Sequence, residues 1–274
     1  MIENNLAFIG LPQTGKSTYL GALWQLIQDS GDGSVTEVDV TGDRSYLQSL
    51  GERVASAQEI ERTPVDSDQG MRLTLRFRDL GDLSLEIPDL SGELFRQLIE
   101  NRIWHTKLDE AVERADGLIL FLHPHHLTQP FSIRAVNQLL GVVAVDDTEE
   151  PRAFSVHEAC TAAQHLDALE NVLAAVRPRP VRLGVVVSAW DVVDGQPTPL
   201  EWLRRRLPAL ASYLSANEQL TTSSIFGVSA QGGALPEQQE ELLAQGNVIE
   251  RAFAVGPDGI AVGLAEPLRW VIWG

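Results

Sequence analysis

Gly10-Leu-Pro-Gln-Thr-Gly-Lys-Ser-Thr18 follows the apolar run 5–9 directly and leads into 17–29, where apolar residues recur at helical spacing. The spacing G-x-x-x-x-G-K-S is typical of a phosphate-binding loop. In such a loop, glycines let successive backbone N–H groups point at phosphate oxygens beside the positive end of a helix. The lysine reaches the outer phosphates, and the serine ligates Mg²⁺. The order of strand, loop and helix therefore predicts a nucleotide site. Its loop contacts are expected to be Gly10, Leu11, Pro12, Gln13, Thr14, Gly15, Lys16, Ser17 and Thr18.

The composition is that of an ordinary globular protein, since 44% of the 274 residues are hydrophobic and can form a substantial core. The net charge of −17, from 38 acidic and 21 basic residues, argues against nucleic acid or an anionic membrane as a partner. The lone Cys160 excludes an internal disulfide, and the N-terminus has no signal-peptide pattern. We therefore expect a protein of the reducing cytoplasm. No apolar run approaches the length of a transmembrane segment.

Strand-like and helix-like segments alternate along the chain, which predicts a mostly parallel sheet. Continuous apolar runs at 117–122, 181–187 and 224–228 predict buried strands, and the alternating runs 71–77 and 83–88 predict an antiparallel hairpin. Helices are expected at about 17–29, 44–57, 93–114, 133–143, 157–176 and 265–273. The expected fold class is α/β, a three-layer α/β/α sandwich with one antiparallel edge hairpin strand.

The whole chain, 1–274, is expected to form a single domain. Two stretches interrupt the regular alternation of elements. The first, at about 31–70, carries a helix of its own, and the second, at about 144–177, combines an acidic loop with a helix.

Asp89-Leu-Ser-Gly92 comes directly after the second hairpin strand. At that spacing, the Asp89 carboxylate can hold Mg²⁺ through water while the Gly92 backbone N–H meets the terminal phosphate. The alternative is a plain turn. The position of the motif after a hairpin and downstream of a phosphate-binding loop favours the functional interpretation.

The predicted base-recognition residues follow two of the apolar strands. Ser188-Ala-Trp-Asp191 ends the strand 181–187, and the Asp191 carboxylate can accept hydrogen bonds from the ring N–H and the exocyclic amine of guanine. An N-cap role for Asp191 is the alternative. Val228-Ser-Ala-Gln231 follows the next strand, and its backbone N–H groups can reach the guanine carbonyl oxygen. The expected contacts are Ser188, Asp191, Ser229 and Ala230.

In this order, the four segments resemble the motifs of the Ras-like, translation-factor-related class of P-loop GTPases, with S-A-W-D for N-K-x-D and S-A-Q for S-A-K. The loop G-L-P-Q-T-G-K-S-T-Y-L, the S-x-W-D variant and the closing E-P-L-R-W are similar to bacterial GTPase domains of the double-GTPase (DO-GTPase) type. The resemblance covers about residues 5 to 231. It implies a small-GTPase-like P-loop NTPase fold, GTP and GDP as ligands and Mg²⁺ as cofactor. It also implies GTP hydrolysis that drives a molecular switch in a conflict or defence system.

The resemblance also implies residues for switching and hydrolysis. Thr63 is expected to complete the Mg²⁺ shell when the γ-phosphate is present, with Thr36 and Thr41 as alternatives. Arg62 beside it either supplies positive charge to the transition state or is an ordinary solvated side chain. Gln13 lies near the position where some dimerisation-activated GTPases place a catalytic residue, and a solvent-facing loop residue is the alternative.

The chain departs from the family pattern at two positions. Ala189 replaces the lysine that normally packs over the base and braces the phosphate-binding loop, which predicts weak guanine affinity. Trp190 either compensates by stacking or is buried. Glu93 stands where many relatives have a water-orienting glutamine, and its carboxylate is expected to be repelled by phosphate. Hydrolysis by the chain alone is therefore expected to be slow.

His123, His125 and His126 follow the strand 117–122 but lack nearby cysteine or carboxylate partners for zinc, so we expect them at the rim of the site. Two other functions remain open. One is an ATPase of the same fold, with Asp191 as a helix cap. The other is a non-hydrolysing pseudo-GTPase that serves as a scaffold. The effector is unknown, and a nucleotide-dependent homodimer is a further prediction.

Overall fold

The computed structural model describes residues 4–29, 35–60, 70–88, 92–129, 159–176 and 180–274. Its strands are β1 (Asn4–Ile9), β2 (Val35–Thr41), β3 (Met71–Phe77), β4 (Gly81–Ile87), β5 (Gly117–Leu122), β6 (Val181–Val187), β7 (Thr221–Ser229), β8 (Phe253–Val255) and β9 (Ala261–Val262). Its α-helices are α1 (Lys16–Asp29), α2 (Arg44–Ala55), α3 (Glu93–Asn101), α4 (Thr106–Arg114), α5 (Thr161–Val176), α6 (Pro199–Arg206), α7 (Pro208–Ala216), α8 (Gln239–Ala244), α9 (Val248–Arg251) and α10 (Glu266–Trp273).

The described strands form one sheet in the order β2-β3-β4-β1-β5-β6-β7-β8-β9. The central strands β4, β1, β5, β6 and β7 are parallel, and the pairs at both edges are antiparallel. The register pairs Ile9 with Leu120 and Leu122 with Val187. The carboxyl ends of β1, β5 and β6 therefore lie side by side, which is where open α/β sheets bind ligands.

Helices cover both faces of the sheet and enclose two hydrophobic cores. On one face, residues of α1, α2 and α10 pack against the sheet, and Phe8, Tyr19 and Phe121 form an aromatic group in this core. The buried Tyr19 hydroxyl donates to the carbonyl oxygen of Leu264 at 2.8 Å. On the other face, α3 to α7 pack against β1, β5 and β6. This arrangement confirms the predicted three-layer α/β/α sandwich.

The structure differs from the predicted elements at both edges of the sheet. The stretch predicted to be a helical insertion at 31–70 also contains β2, whose register is interrupted between Glu37 and Asp39, so its polar side chains do not alternate regularly. The short strands β8 and β9 extend the opposite edge. The sheet therefore has antiparallel pairing at two edges, whereas the sequence predicted a single antiparallel edge hairpin strand.

The helical regions also differ from the prediction. The single helix expected at 93–114 is two helices, because Arg102 takes a left-handed conformation with φ 56° and ends α3. The helix expected at 157–176 begins at Thr161. The predicted helix 133–143 and the acidic loop 146–151 lie outside the described residues. Within the described ranges, no helix is long and apolar enough to span a bilayer.

Candidate nucleotide-binding site

The loop between β1 and α1 is wound around the lysine side chain. Gly10 and Gly15 have φ values of 148° and 91°, which glycine adopts at little cost. Lys16 is 2% exposed, and its Nζ donates to the carbonyl oxygens of Gly10 at 2.8 Å and Leu11 at 2.9 Å. The Thr14 hydroxyl donates to Leu11 O at 2.8 Å. The sequence therefore folds here into a compact loop with one buried cation at its centre.

A cavity of about 630 Å³ opens in front of this loop and brings most of the predicted site residues together. Gln13, Thr14, Gly15, Lys16, Ser17 and Thr18 line it from the phosphate-binding loop and the first turn of α1. Ser188, Asp191 and Ala230 line it from the segments that follow β6 and β7. We call the first set, together with Gly92, the phosphate end. The second set, together with Ser229, is the base end. Gly10, Leu11 and Pro12 are not part of the cavity wall.

Asp191 is held in place by the end of the neighbouring strand. It lies in a short 3-10 helix after β6, and its Oδ1 accepts a hydrogen bond of 2.5 Å from the Ser229 hydroxyl. Ser229 is fully buried and also accepts from the Gly232 backbone N–H at 2.9 Å. The Thr198 side chain caps the following helix, α6, so Asp191 is not its cap. Ser229 therefore supports Asp191 from beneath and does not line the cavity.

Ser188 braces the phosphate-binding loop. Its hydroxyl donates to Leu122 O at 3.0 Å, and a Cβ placed on Gly15 would lie 2.7 Å from both Cβ and Oγ of Ser188. The loop thus packs directly against Ser188 at the end of β6. In the family pattern, a lysine at the position of Ala189 would brace the loop instead. Trp190 is 8% exposed and packs at 6.4 Å between ring centroids against Trp202, which agrees with burial and not with stacking on a base.

The start of α3 lies against the phosphate-binding loop. Gly92 has a φ of 78°, and a Cβ placed there would lie 2.6 Å from the carbonyl carbon of Leu11 and 2.7 Å from Cα of Pro12. Only glycine allows this approach. Asp89 lies outside the described residues, so its predicted metal role is not tested by this geometry.

Glu93 is paired with an arginine on its own helix. It is 7% exposed, and its carboxylate accepts from Arg96 Nε at 2.9 Å and Arg96 Nη2 at 2.5 Å. Gln97 Nε2 donates to the same carboxylate at 3.3 Å. The carboxylate charge is therefore balanced locally, and Glu93 does not line the cavity. Whether the Glu93 carboxylate repels phosphate stays a prediction, with Arg96 as the partner that balances its charge.

The predicted switch residues Thr63 and Arg62 lie outside the described residues. Glu59 and Ile60 line the cavity at the point where the described segment 35–60 ends. Thr36 and Thr41 lie on the edge strand β2, paired with Arg76 and Arg72 of β3, and do not line the cavity.

The three histidines after β5 line the same cavity. The His123 Nδ1 accepts from the backbone N–H of His125 at 3.2 Å. Burial, and after it the neighbouring His126 and His125, lowers the pKa of His123 to about 4. Burial, and then His125, also lowers the pKa of His126. Among the described residues, no group of histidine, cysteine or carboxylate side chains could hold a metal ion.

Two residues of this region were not singled out from the sequence. His165 on α5 is 2% exposed, and burial followed by the positive charge of Lys16 lowers its pKa to about 4. Gln231 was considered only as part of a backbone triplet, yet its side chain lines the cavity. Neither side chain belongs to a recognisable motif. The packed structure alone places Gln231 in the cavity wall and His165 where the charge of Lys16 affects it.

A comparison with protein families identifies the family of this chain. The family model Double-GTPase 1 (DO-GTPase1) matches residues 7–271. The chain belongs to the Double-GTPase 1 family. This confirms the resemblance deduced from the loop, the S-A-W-D segment and the closing E-P-L-R-W. Membership of the Double-GTPase 1 family supports a GTP-binding GTPase as the class of this protein.

Solved structures similar to this double-GTPase include a point variant of Era from Aquifex aeolicus bound to GDP.AlF4-, with 13% identity over 89% of this chain and 56% of that chain and a TM-score of 0.36. The S. cerevisiae Ski7 GTPase-like domain bound to GTP has 13% identity over 85% of this chain and 44% of that chain, with a TM-score of 0.38. The signal recognition particle receptor SRb-GTP/SRX complex from Chaetomium thermophilum has 11% identity over 92% of this chain and 99% of that chain, with a TM-score of 0.37. The chain thus spans about half the length of the Era chain. No curated protein matches this double-GTPase significantly.

Proposed function

We propose that this chain is a Mg²⁺-dependent, GTP-binding protein that hydrolyses GTP to GDP. The observation that carries the proposal is one cavity lined by both the buried Lys16 and Asp191, which the Ser229 hydroxyl holds in place. A carboxylate that is anchored by one oxygen can still accept hydrogen bonds from the ring N–H and the exocyclic amine of guanine. Adenine does not offer that pair of donors, so Asp191 would select guanine.

The phosphate end suits the triphosphate. Backbone N–H groups of residues 13–18 and the positive end of α1 favour anionic oxygens. Lys16 would exchange its bonds to the loop carbonyls for bonds to the outer phosphates. Ser17 lines the cavity at the first turn of α1, and a hydroxyl oxygen suits Mg²⁺, which prefers oxygen ligands. Ser17, Thr63 and Asp89 would hold the ion, which neutralises charge on the phosphate oxygens.

We propose hydrolysis by in-line attack of water. The water oxygen bonds to the γ-phosphorus, the bond to the bridging oxygen breaks with its electron pair on GDP, and the water proton ends on the released phosphate. The Gly92 backbone N–H would meet the γ-phosphate. Gln13 is exposed at the cavity with a φ of 61°, an unusual conformation outside glycine, and is the candidate for orienting the water. A catalytic role for Glu93 stays a prediction.

The decisive experiment is a competition titration with GTP, GDP and ATP, with and without Mg²⁺, on the wild type and on Asp191→Ala. We expect the wild type to prefer guanine nucleotides and the variant to lose that preference. Equal binding of ATP, unchanged by the substitution, would instead support an ATPase of the same fold. Turnover is measured in parallel on Lys16→Ala, and turnover that survives this substitution would not come from the proposed site.

The role of Gln13 has its own test. Gln13→Ala should lower turnover far more than GTP affinity, because a water-orienting group acts in the transition state. Equal turnover of variant and wild type would remove Gln13 from the mechanism. Wild-type protein that binds GTP with no turnover at all would support the pseudo-GTPase scaffold.

We further propose that the nucleotide state controls recruitment of an effector in a bacterial conflict or defence system in the cytoplasm. This output follows from what the resemblance to double-GTPase domains implies, and the exposed Gln13 in the cavity wall is the residue through which a nucleotide-dependent homodimer would act. Light scattering with GDP and with a non-hydrolysable GTP analogue tests the dimer. A monomer in both states would contradict it.

A further inference from the structure

Gln231 connects the base end of the cavity to the segment that follows α2. It is 9% exposed and stands directly after Ser229 and Ala230, at the end of β7. Its Nε2 donates to the backbone carbonyl oxygen of Gln58 at 3.1 Å, a contact between residues 173 positions apart in sequence. The same side chain lines the cavity together with Asp191.

The Gln231 side-chain oxygen is buried without a hydrogen-bond partner among the residues that the structure describes. The bond to Gln58 fixes which amide atom faces which way, because a flipped amide would set its oxygen against the carbonyl oxygen of Gln58. A desolvated amide oxygen is unfavourable unless a donor reaches it. Gln231 also lines the cavity, so a ligand that meets its side chain there would supply that donor.

The segment that Gln231 contacts leads to the predicted switch threonine. Glu59 and Ile60 line the cavity and are followed by the stretch that contains Thr63. Other residues hold the same segment from outside the cavity. Gln239 Nε2 donates to Ser56 O at 3.3 Å, and the Arg251 guanidinium donates to the carbonyl oxygens of Val54 and Ala55 at the end of α2, just before the segment. Gln231 differs from these residues because it contacts the segment from the cavity wall.

We propose that Gln231 couples nucleoside binding to the position of residues 58–60. Its oxygen accepts a hydrogen bond from an N–H or O–H donor of the bound nucleoside, while its N–H holds the Gln58 carbonyl. The donor is either the exocyclic amine of the base or a ribose hydroxyl. Because one side chain makes both bonds, occupancy of the nucleoside pocket and the position of this segment stabilise each other. This inference rests on the proposed GTP-binding function.

The first test compares Gln231→Met with Gln239→Met, which removes a similar bond to the same segment from outside the cavity. GDP affinity should fall roughly fivefold in Gln231→Met, as expected for one neutral hydrogen bond. It should stay within about twofold in Gln239→Met, because the hydrogen bond of Gln239 is exposed to solvent and its side chain does not line the cavity. Thermal melting of both variants without nucleotide checks that they are folded. A Gln231→Met protein that binds GDP as the wild type does would overturn the inference.

The identity of the donor is tested with ligands that each lack one group. Inosine diphosphate lacks the exocyclic amine, and the two deoxyribose isomers of GDP each lack one ring hydroxyl. The affinity loss in Gln231→Met should vanish for the ligand that lacks the donor and persist for the others. A loss of equal size for every ligand would mean a purely structural role and would overturn the proposal.

The coupling is tested by hydrogen exchange of the peptide that covers residues 56–60. GDP should slow exchange there in the wild type and in Gln239→Met, and should do so much less in Gln231→Met. Equal protection in all three proteins would contradict the coupling. Asp191→Ala, measured beside them, distinguishes failure of the coupling from failure of the proposed GTP-binding function. The wild type should prefer guanine nucleotides, and Asp191→Ala should lose that preference. If this difference is not seen, the proposed function itself fails.

Discussion

The two ends of the cavity are built by different means. At the base end, Asp191, Ser229 and Ser188 are fixed by hydrogen bonds at the ends of buried parallel strands. At the phosphate end, the loop is closed by hydrogen bonds from Lys16 and Thr14, and α3 meets it by the close approach of Gly92 to Leu11 and Pro12. The comparison teaches that the position of Asp191 depends on the register of β6 and β7, whereas the packing of α3 on the loop depends on the absence of a side chain at Gly92. The two ends should therefore respond to substitution in different ways.

The largest effect is expected at the close approach of Gly92. Gly92→Ala would place a Cβ 2.6 Å from a backbone carbon of the loop, so α3 or the loop has to move. Displacement of a group that is proposed to meet the γ-phosphate should lower turnover about 100-fold, with less effect on GDP affinity. Steady-state kinetics and GDP titration measure both.

The matched control for Gly92 is Gly195→Ala. Gly195 has a φ of 77°, close to the 78° of Gly92, but a Cβ there meets no atom of the described residues within 4 Å. It should show only the cost of the backbone conformation, about 1 kcal/mol of unfolding free energy, with normal turnover. Equal turnover in the two variants would remove the distinction between the ends.

The next effect concerns His165, a buried residue of α5 whose pKa is lowered by burial and then by the charge of Lys16. Its pKa is about 4 in the folded protein against an ordinary value of 6.5. The unfolded chain therefore binds a proton more readily, so this residue lowers stability as pH falls from 6.5 towards 4. At about pH 5 the penalty is about 2 kcal/mol. Urea unfolding at neutral pH and at about pH 5 should show a smaller difference for His165→Met than for the wild type. Identical differences would contradict this assignment.

The base end should give a smaller effect that is confined to selectivity. Ser229→Ala removes the hydroxyl that holds Asp191 Oδ1. We expect the preference for GTP over ATP to fall about tenfold, because the carboxylate keeps its charge but loses its fixed position. Competition titration measures the ratio, and Ser212→Ala, at an exposed position on α7, is the control. A fall in GTP and ATP affinity by the same factor would show that Ser229 supports the loop and not the base contact.

The smallest effect concerns the pair of Glu93 and Arg96. Arg96→Ala leaves the buried Glu93 carboxylate without its main partner at the start of α3. Turnover should fall roughly threefold, in line with the modest strength of a half-exposed ion pair. Glu93→Gln in the same protein should restore turnover, since it removes the charge. A double variant that is no better than Arg96→Ala would show that the charge of Glu93 does not reach the phosphate end.

Contiguous motifs made the phosphate-binding loop, Asp191 and the parallel strands predictable, because each lies within a few residues and the apolar runs are unbroken. The bond from Gln231 to Gln58 could not be predicted, since it joins residues 173 positions apart. The break after α3 was hidden because Arg102 is not a residue that typically ends a helix in the left-handed conformation. By contrast, the i, i+3 spacing of Glu93 and Arg96 was a signal in the sequence that could have identified the pair.

The hydrogen bonds of Lys16 have a further thermodynamic consequence. Its ammonium group already donates to Gly10 O and Leu11 O within the loop. A nucleotide bound as proposed would therefore gain only the difference between phosphate and carbonyl oxygens as acceptors for Lys16. The same cation contributes to folding before any ligand binds. Lys16→Ala should accordingly lower the melting temperature of the nucleotide-free chain as well as its affinity. The loss in melting temperature and the loss in affinity together measure how much the Lys16 charge contributes to folding and how much to binding.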